Sequence, residues 1–315
     1  MVFLIDSSNL YYRCFHAIQK LTNSKGFPTN AIHGVLKTLR LWMRTHNPDH
    51  IALVVDGETC QERLDLLPGY KATRKPMPDD LKLQMPILGE LTELLGIPSL
   101  CDPKQEADDL IATLAVQARA AGHDVVVASN DKDFFQLLEP GVTILRQTPK
   151  ESVRVDEAWL AKEWGLRPDQ IVDYLSLVGD SVDEIPGVQG VGEKTALQWL
   201  TKYESLEGIF EHLQELPERF QARMKGELPR LEINRKLITL RRDLPMKLDL
   251  DAMQRRAPDY DPLFAKFREL EIKSLMLEMQ KERDGSSTAP APASSASSPQ
   301  TKVTPKRKET QGELF

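Results

Sequence analysis

Apolar and polar positions along this chain follow two rhythms. In the first half, short apolar runs each end at or just before an acid. Residues 2–5 precede Asp6, residues 51–55 precede Asp56-Gly57, and residues 125–128 lie just before Asp131-Lys132-Asp133. Runs of this length and β-branched content predict buried strands. Helical spacing predicts helices over 11–18, 31–44, a segment reaching Leu95, and 106–121, where Leu110, Leu114 and Ala118 keep step and Gly122 marks the end. Residues 21–30, with Gly and Pro, predict a loop. Residues 142–145 and 153–155 add strands. Beyond about residue 160 only helical patterns remain, over 168–178, 193–200, 206–216 and 227–239.

Strands alternating with helices predict an α/β fold with a mostly parallel central sheet flanked by helices, followed by a helical domain. The expected division is a core over 1–163, a helical domain over 164–280 and a tail over 281–315. The core should include a mobile basic segment at about 62–86 and the helical domain a Gly-rich turn at 186–200. The tail is rich in Ser, Ala, Pro and Thr and is expected to be disordered. Ligands of parallel sheets sit off the carboxyl ends of strands, where Asp6, Asp56 and Asp131 fall.

The chain has 315 residues and a formal net charge of −6. Three widely spaced cysteines (Cys14, Cys60 and Cys101) form neither a disulfide framework nor a zinc pattern and suit a reducing cytosol. Residues 1–6 lack a basic n-region, and no stretch approaches the roughly 20 apolar residues of a membrane span. A cytoplasmic protein without membrane contact is expected. Nine carboxylates are candidates for one site: Asp6, Asp56, Glu106, Asp108, Asp109, Asp131, Asp133, Asp180 and Asp183. Without them the chain has 38 acidic against 41 basic residues, so a negative pocket sits on a mildly basic body, as a metal-dependent enzyme acting on a polyanion requires.

Taken singly, each acid has an ordinary explanation. Glu106, Asp108 and Asp109 favour a helix N-terminus, and Asp caps helices and turns. Gathered, they would repel strongly unless protonated or bridged by cations. Oxygen ligands without His or Cys point to magnesium or manganese, and two such ions form the usual clamp for phosphodiester cleavage. Gly187, Gly190 and Gly192 precede a helix and could let backbone N–H groups approach phosphate, although a packed turn between helices explains them nearly as well. In residues 69–75, Tyr70 beside Lys71, Arg74 and Lys75 could stack on a base and neutralise phosphate, whereas composition alone suggests a solvated charge run.

Taken together, residues 1–275 resemble the 5′-nuclease superfamily, comprising the 5′–3′ exonuclease domain of bacterial DNA polymerase I and the flap endonucleases. The motifs carrying the resemblance are Leu4-Ile5-Asp6, Tyr12-Arg13-Cys14-Phe15-His16-Ala17, Val55-Asp56-Gly57, Gly69-Tyr70-Lys71-Ala72, Glu106-Ala107-Asp108-Asp109, Asp131-Lys132-Asp133 and residues 179–196. The resemblance implies a PIN-like nuclease core and a helix–turn–helix that grips duplex DNA by its backbone through Gly187, Gly190, Gly192 and Lys194. It implies a two-metal (Mg2+ or Mn2+) structure-specific 5′–3′ exonuclease or flap endonuclease acting in replication and repair. Glu106, Asp108, Asp131 and Asp133 would centre the first metal, with Asp6 and Asp56 close by and Asp180 and Asp183 reaching the second. Asp109 would lie in or next to the ligand set. Lys71 and Arg13 would contact the scissile phosphate, Tyr70 would stack on a nucleotide, and residues 62–86 would form the arch. In this family the helix–turn–helix often also carries a potassium ion. Glu184 departs from the pattern, standing where Asn is usual.

With no polymerase segment in the chain, a free-standing, monomeric nuclease is expected. The last five residues, Gln311-Gly312-Glu313-Leu314-Phe315, resemble the peptide by which bacterial repair proteins dock on the sliding clamp. Gln311, Leu314 and Phe315 are its anchors. Two rival readings are a clamp-tethered DNA-binding protein with a dead site and a 5′ nuclease directed at RNA.

Overall fold

The computed structural model describes residues 1–148 and 151–285. The chain runs β1 (Val2–Asp6), α1 (Ser7–Ala17), α2 (Asn30–His46), β2 (His50–Val55), α3 (Gln61–Leu66), α4 (Asp79–Leu94), β3 (Ser99–Cys101), α5 (Ala107–Ala120), β4 (Val125–Ala128), β5 (Val142–Gln147) and β6 (Ser152–Val155). These strands form one sheet in the order β3-β2-β1-β4-β5-β6. All neighbours are parallel except β5 and β6. The apolar runs become strands because helices cover both faces of the sheet, so Val2, Phe3, Leu4 and Ile5 are fully buried. Phe3 and Ile5 pack with α1, α2 and α4, whereas Val2 and Leu4 pack with α5.

Strand order reverses between β1 and β4, which opens a crevice at their carboxyl ends. Asp6 closes β1, and Asp131 lies three residues beyond β4. The crevice is therefore where the acid-terminated runs converge.

The second half comprises α6 (Glu157–Trp164), α7 (Ile171–Val178), a hairpin of β7 (Gly179–Asp180) and β8 (Ile185–Pro186), α8 (Glu193–Tyr203), α9 (Leu206–Glu211), α10 (Glu218–Ile238), α11 (Tyr260–Glu269) and α12 (Lys273–Arg283). The hairpin requires glycine at both ends. A Cβ on Gly187 would fall 2.0 Å from the Val178 carbonyl oxygen, and one on Gly179 would fall 2.2 Å from the Gly187 nitrogen.

The structure differs from the sequence reading in several places. The basic segment at 62–86 carries helix at both ends, most of α3 and the first half of α4, with residues 67–78 between them outside any helix. Leu81, Leu88 and Leu91 bury a face of α4, and the helix tolerates Pro86. Helix α10 begins nine residues before the predicted start at 227, because Pro229, a helix breaker by propensity, sits inside it. Strand β3 is three residues long and largely exposed, too short to leave a pattern. Helices α11 and α12 leave the helical domain and return to the core, where Leu263, Phe264, Phe267, Leu275 and Met279 pack with residues of α2 and α4. Arg40 on α2 fixes α12 through Glu278 at 3.0 Å and Glu282 at 2.7 Å. Among the described residues no helix is long and apolar enough to cross a membrane.

Candidate metal centre and nucleic-acid interface

Asp6 is the N-cap of α1. Its Oδ1 accepts the Asn9 N–H at 3.0 Å and its Oδ2 the Ser129 hydroxyl at 2.8 Å. Asp56, one strand over, caps a helix that is not its own: Oδ1 accepts the Ala107 N–H of α5 at 2.9 Å and Oδ2 the Ser8 hydroxyl at 2.6 Å. Gly57 makes this possible by passing so close to residues 102–105 that a Cβ would lie 2.1 Å from the Asp102 carbonyl oxygen. Asp131 accepts the Asp133 N–H at 2.9 Å, and Asp180 the Val182 N–H at 2.7 Å. Asp108 and Asp133 accept no hydrogen bond from any described residue.

These acids feel one another's charge. Burial, reinforced by Asp131 and Asp56, pushes the Asp6 carboxyl up to about 7 despite its two donors. Burial also raises Asp108 well above the carboxylate range, with Asp6, Asp131 and Asp56 adding to it. Asp131 is raised by burial and by Asp183 and Asp180. Asp133 is raised well above the ordinary value by burial, then Asp131, Asp180 and Asp183. The set is all oxygen, which suits a hard cation. Among the described residues no three His, Cys, Asp or Glu side chains are already gathered as a ligand cage. Those of Asp6, Asp56, Asp131 and Asp180 turn instead to donors of the chain itself, whereas Asp108 and Asp133 do not.

For Glu106 and Asp183 the donors include cations. Lys71 Nζ lies 2.7 Å from Glu106 Oε2, Arg63 Nη1 lies 2.8 Å from the same oxygen, and Arg74 Nε lies 3.1 Å from Asp183 Oδ1. Sequence reasoning left Arg63 within the mobile basic segment at about 62–86 and gave it no role at the site. Its only sequence signal was its place beside Leu64 and Leu67, which pack on the core.

Two expected site residues, Tyr70 and Arg13, stand elsewhere, and Asp109 lies behind Glu106, joined to it through Arg63. Asp109 is fully buried and gripped by Arg63, and its Oδ1 also takes the Arg241 N–H at 2.9 Å. One helix position past Asp108 turns it about 100° away from the crevice. Tyr70 is 5% exposed and packed in the core, with its hydroxyl 3.4 Å from Glu106 and from Asp183, so its ring has no open face for a base. Arg13 lies about two turns, ~10 Å, along α1 from Asp6. Its guanidinium sits 5.9 Å over the Trp42 ring, and its pKa is lowered by burial.

In the Gly-rich turn the three glycines diverge. Gly187 is needed for packing, Gly190 for its φ of 84°, and Gly192 faces open space at the start of α8 next to the exposed Lys194. Three carbonyl oxygens at this turn, where the resemblance implies a potassium ion, face helix α10. The Pro186 carbonyl accepts Asn234 Nδ2 at 2.9 Å, the Gly187 carbonyl Arg230 Nη2 at 2.9 Å, and the Gln189 carbonyl Arg223 Nη1 at 2.5 Å. Helix α10 thus braces the turn through three carbonyls, each of which keeps a second lone pair.

The family model for the 5′-3′ exonuclease N-terminal resolvase-like domain matches residues 1–165, and that for the C-terminal SAM fold matches residues 166–261. The chain belongs to the 5′–3′ exonuclease family. This exonuclease is 38% identical to the 5′-3′ exonuclease of Aquifex aeolicus over 280 residues, 89% of this chain and 95% of that one. It is 38% identical to the thermostable DNA polymerase I of Thermus aquaticus over 277 residues, 88% of this chain but 33% of the polymerase. The chain therefore spans about a third of its polymerase relative. Among solved structures, T5 5′-exonuclease with divalent metal ions (zinc) bound shares the fold at TM-score 0.63 and 20% identity, over 76% of this chain and 89% of that one. The catalytic core of Rad2 in complex with a DNA substrate shares it at TM-score 0.55 and 17% identity, over 85% and 87%.

Proposed function

We propose that this exonuclease hydrolyses DNA phosphodiesters at 5′ ends and 5′ flaps in replication and repair. Divalent cations, Mg2+ or Mn2+ and two per site, would be held by Asp6, Asp56, Glu106, Asp108, Asp131, Asp133, Asp180 and Asp183. The observation that carries this reading is the crevice itself: buried acids from distant parts of the chain, several with raised pKa values, at the switch point of a parallel sheet. Bound cations would supply a Lewis acid that activates water and neutralises the leaving oxygen. Lys71 and Arg74, now paired with Glu106 and Asp183, would turn to the scissile phosphate, which offers the same negative charge. Gly192 and Lys194 would meet the phosphates of the downstream duplex at the N-terminus of α8. Binding through the backbone makes affinity steeply salt-dependent and nearly independent of sequence.

Cleavage of a 5′-labelled double-flap DNA tests this reading. Products should appear with Mg2+ and vanish with EDTA or with Asp131→Asn plus Asp133→Asn. Cleavage that persists in the double variant, or none from the native chain with Mg2+, would overturn it. Equal cutting of matched RNA flaps would make RNA a substrate too.

Residues 311–315 lie outside the described residues. From their sequence we propose that Gln311, Leu314 and Phe315 dock on a bacterial sliding clamp, tethering the enzyme at a nick. Deleting residues 311–315 should abolish clamp stimulation and leave unstimulated cleavage unchanged.

A further inference from the structure

The turn of the β7–β8 hairpin ends on Glu184, whose φ of 60° lies in the left-handed region. Asn or Gly is at ease there, and a long side chain is uncommon. Glu184 also adds negative charge beside Asp180 and Asp183, where repulsion already operates. Its one side-chain hydrogen bond among the described residues is from the Thr73 hydroxyl, 111 positions away in sequence. Adjacent to that contact, the Asp183 carbonyl accepts the Lys71 N–H at 3.2 Å, and the Asp183 carboxylate accepts Arg74 Nε at 3.1 Å. Lys71 has a φ of 58°, so each of the two segments joined by these contacts contains a left-handed residue bearing a side chain. Ala72, Thr73, Arg74 and Lys75 are otherwise exposed. Apart from the hairpin, this stretch is held at its start by the buried Tyr70 and by Lys71 Nζ on Glu106, and beyond Lys71 only the hairpin supplies side-chain partners among the described residues.

We propose that Glu184 is a positioning residue. Through Thr73 it docks residues 71–74 onto the hairpin and so places Lys71 and Arg74 over the acids before substrate arrives. The proposal rests on the reading that these two bases meet the scissile phosphate. An undocked stretch would have to be ordered at the expense of substrate binding. Docking pre-orders it, and the substrate phosphate then only has to exchange partners with Glu106 and Asp183. The left-handed turn belongs to the hairpin itself, so its strain burdens folding and not docking. The two effects of a substitution at residue 184 can therefore be measured apart.

The test uses the full chain without DNA, comparing Glu184→Asn, Thr73→Val and the double variant. Amide hydrogen exchange at Lys71 and Arg74 should be about tenfold faster in each single variant, and no faster again in the double. Because Asn accepts the left-handed conformation, the melting temperature of Glu184→Asn should not fall. In cleavage assays, KM for a flap should rise by about the same factor in both single variants while kcat changes little, since bound phosphate re-docks the two bases. Unchanged exchange in either single variant would overturn the proposal, as would effects that add in the double. A shift in divalent-ion affinity in Glu184→Asn that persists in the Thr73→Val background, without the exchange change, would also overturn it. Faster exchange in chains that cleave nothing would uphold docking and sink the nuclease reading alone.

Discussion

The Arg63 guanidinium grips Asp109 through two nitrogens, Nη1 at 2.8 Å and Nη2 at 2.9 Å, and both side chains are almost wholly withdrawn from solvent. The same guanidinium reaches Glu106 at 2.8 Å and the Leu237 carbonyl at 3.1 Å. Asp109 in turn takes the Arg241 N–H. One buried cation thus ties α3, at the base of the basic segment, to the N-terminus of α5 and to the end of α10.

Removing that cation leaves two buried carboxylates short of a partner. Arg63→Met should destabilise the fold by about 3–5 kcal/mol, read from urea unfolding. Arg63→Met with Asp109→Leu should recover much of the loss, since replacing both partners removes the unpaired charge. A single variant within about 1 kcal/mol of the native chain would show that the pair is a bystander.

Lys71 now neutralises Glu106, so it competes with any cation for that carboxylate. Lys71→Ala should cut kcat roughly 100-fold through lost stabilisation of developing charge. It should also bind Mg2+ no more weakly than the native chain, by calorimetry. Weaker metal binding would show that Lys71 shapes the acid site and does not oppose its filling.

The core strands and their terminal acids were legible because burial on both faces forces continuous apolar runs, and an acid ending such a run stands out. Asp6, Asp56 and Asp131 were found on that signal alone. What sequence could not give was side-chain direction within one helical turn: Asp108 and Asp109 are adjacent, yet one faces the crevice and the other the core. Arg63 and Tyr70 were hidden for a related reason. Their burial depends on α5, some forty residues away in sequence, closing over them. The return of α11 and α12 to the core is a long-range choice that helical periodicity does not encode.

Proton and metal should compete at this site. Asp6, Asp108, Asp131 and Asp133 have folded pKa values above the unfolded ones, with Asp6 at about 7. Their contribution to metal-free stability is full below the unfolded value near 3.8 and is lost as pH rises through the folded values. A bound cation needs the ionised forms and so releases protons. Stabilisation by Mg2+ should therefore grow from pH 6 to pH 8 by roughly 1.4 kcal/mol per pH unit for each proton displaced. Thermal melts at fixed Mg2+ would show this growth, and calorimetry in two buffers would count the protons. A metal shift independent of pH would rule out the coupling.

Gly57 offers a test of how Asp56 is held. A methyl group there would meet the Asp102 carbonyl at 2.1 Å and the Gln105 carbonyl at 2.7 Å, both backbone atoms that cannot swing aside. Relief requires residues 102–105 to move, and these lead directly into Glu106 and the Ala107 N–H that Asp56 caps. Gly57→Ala should cost about 1–3 kcal/mol by overpacking. It should also depress flap cleavage well beyond that loss of fold, because Asp56, Glu106 and Asp108 shift together. Asp56→Asn serves as the control, since it keeps the amide cap while removing the charge. If Gly57→Ala is destabilised yet cleaves at the native rate at low temperature, the link between that loop and the acid cluster is wrong.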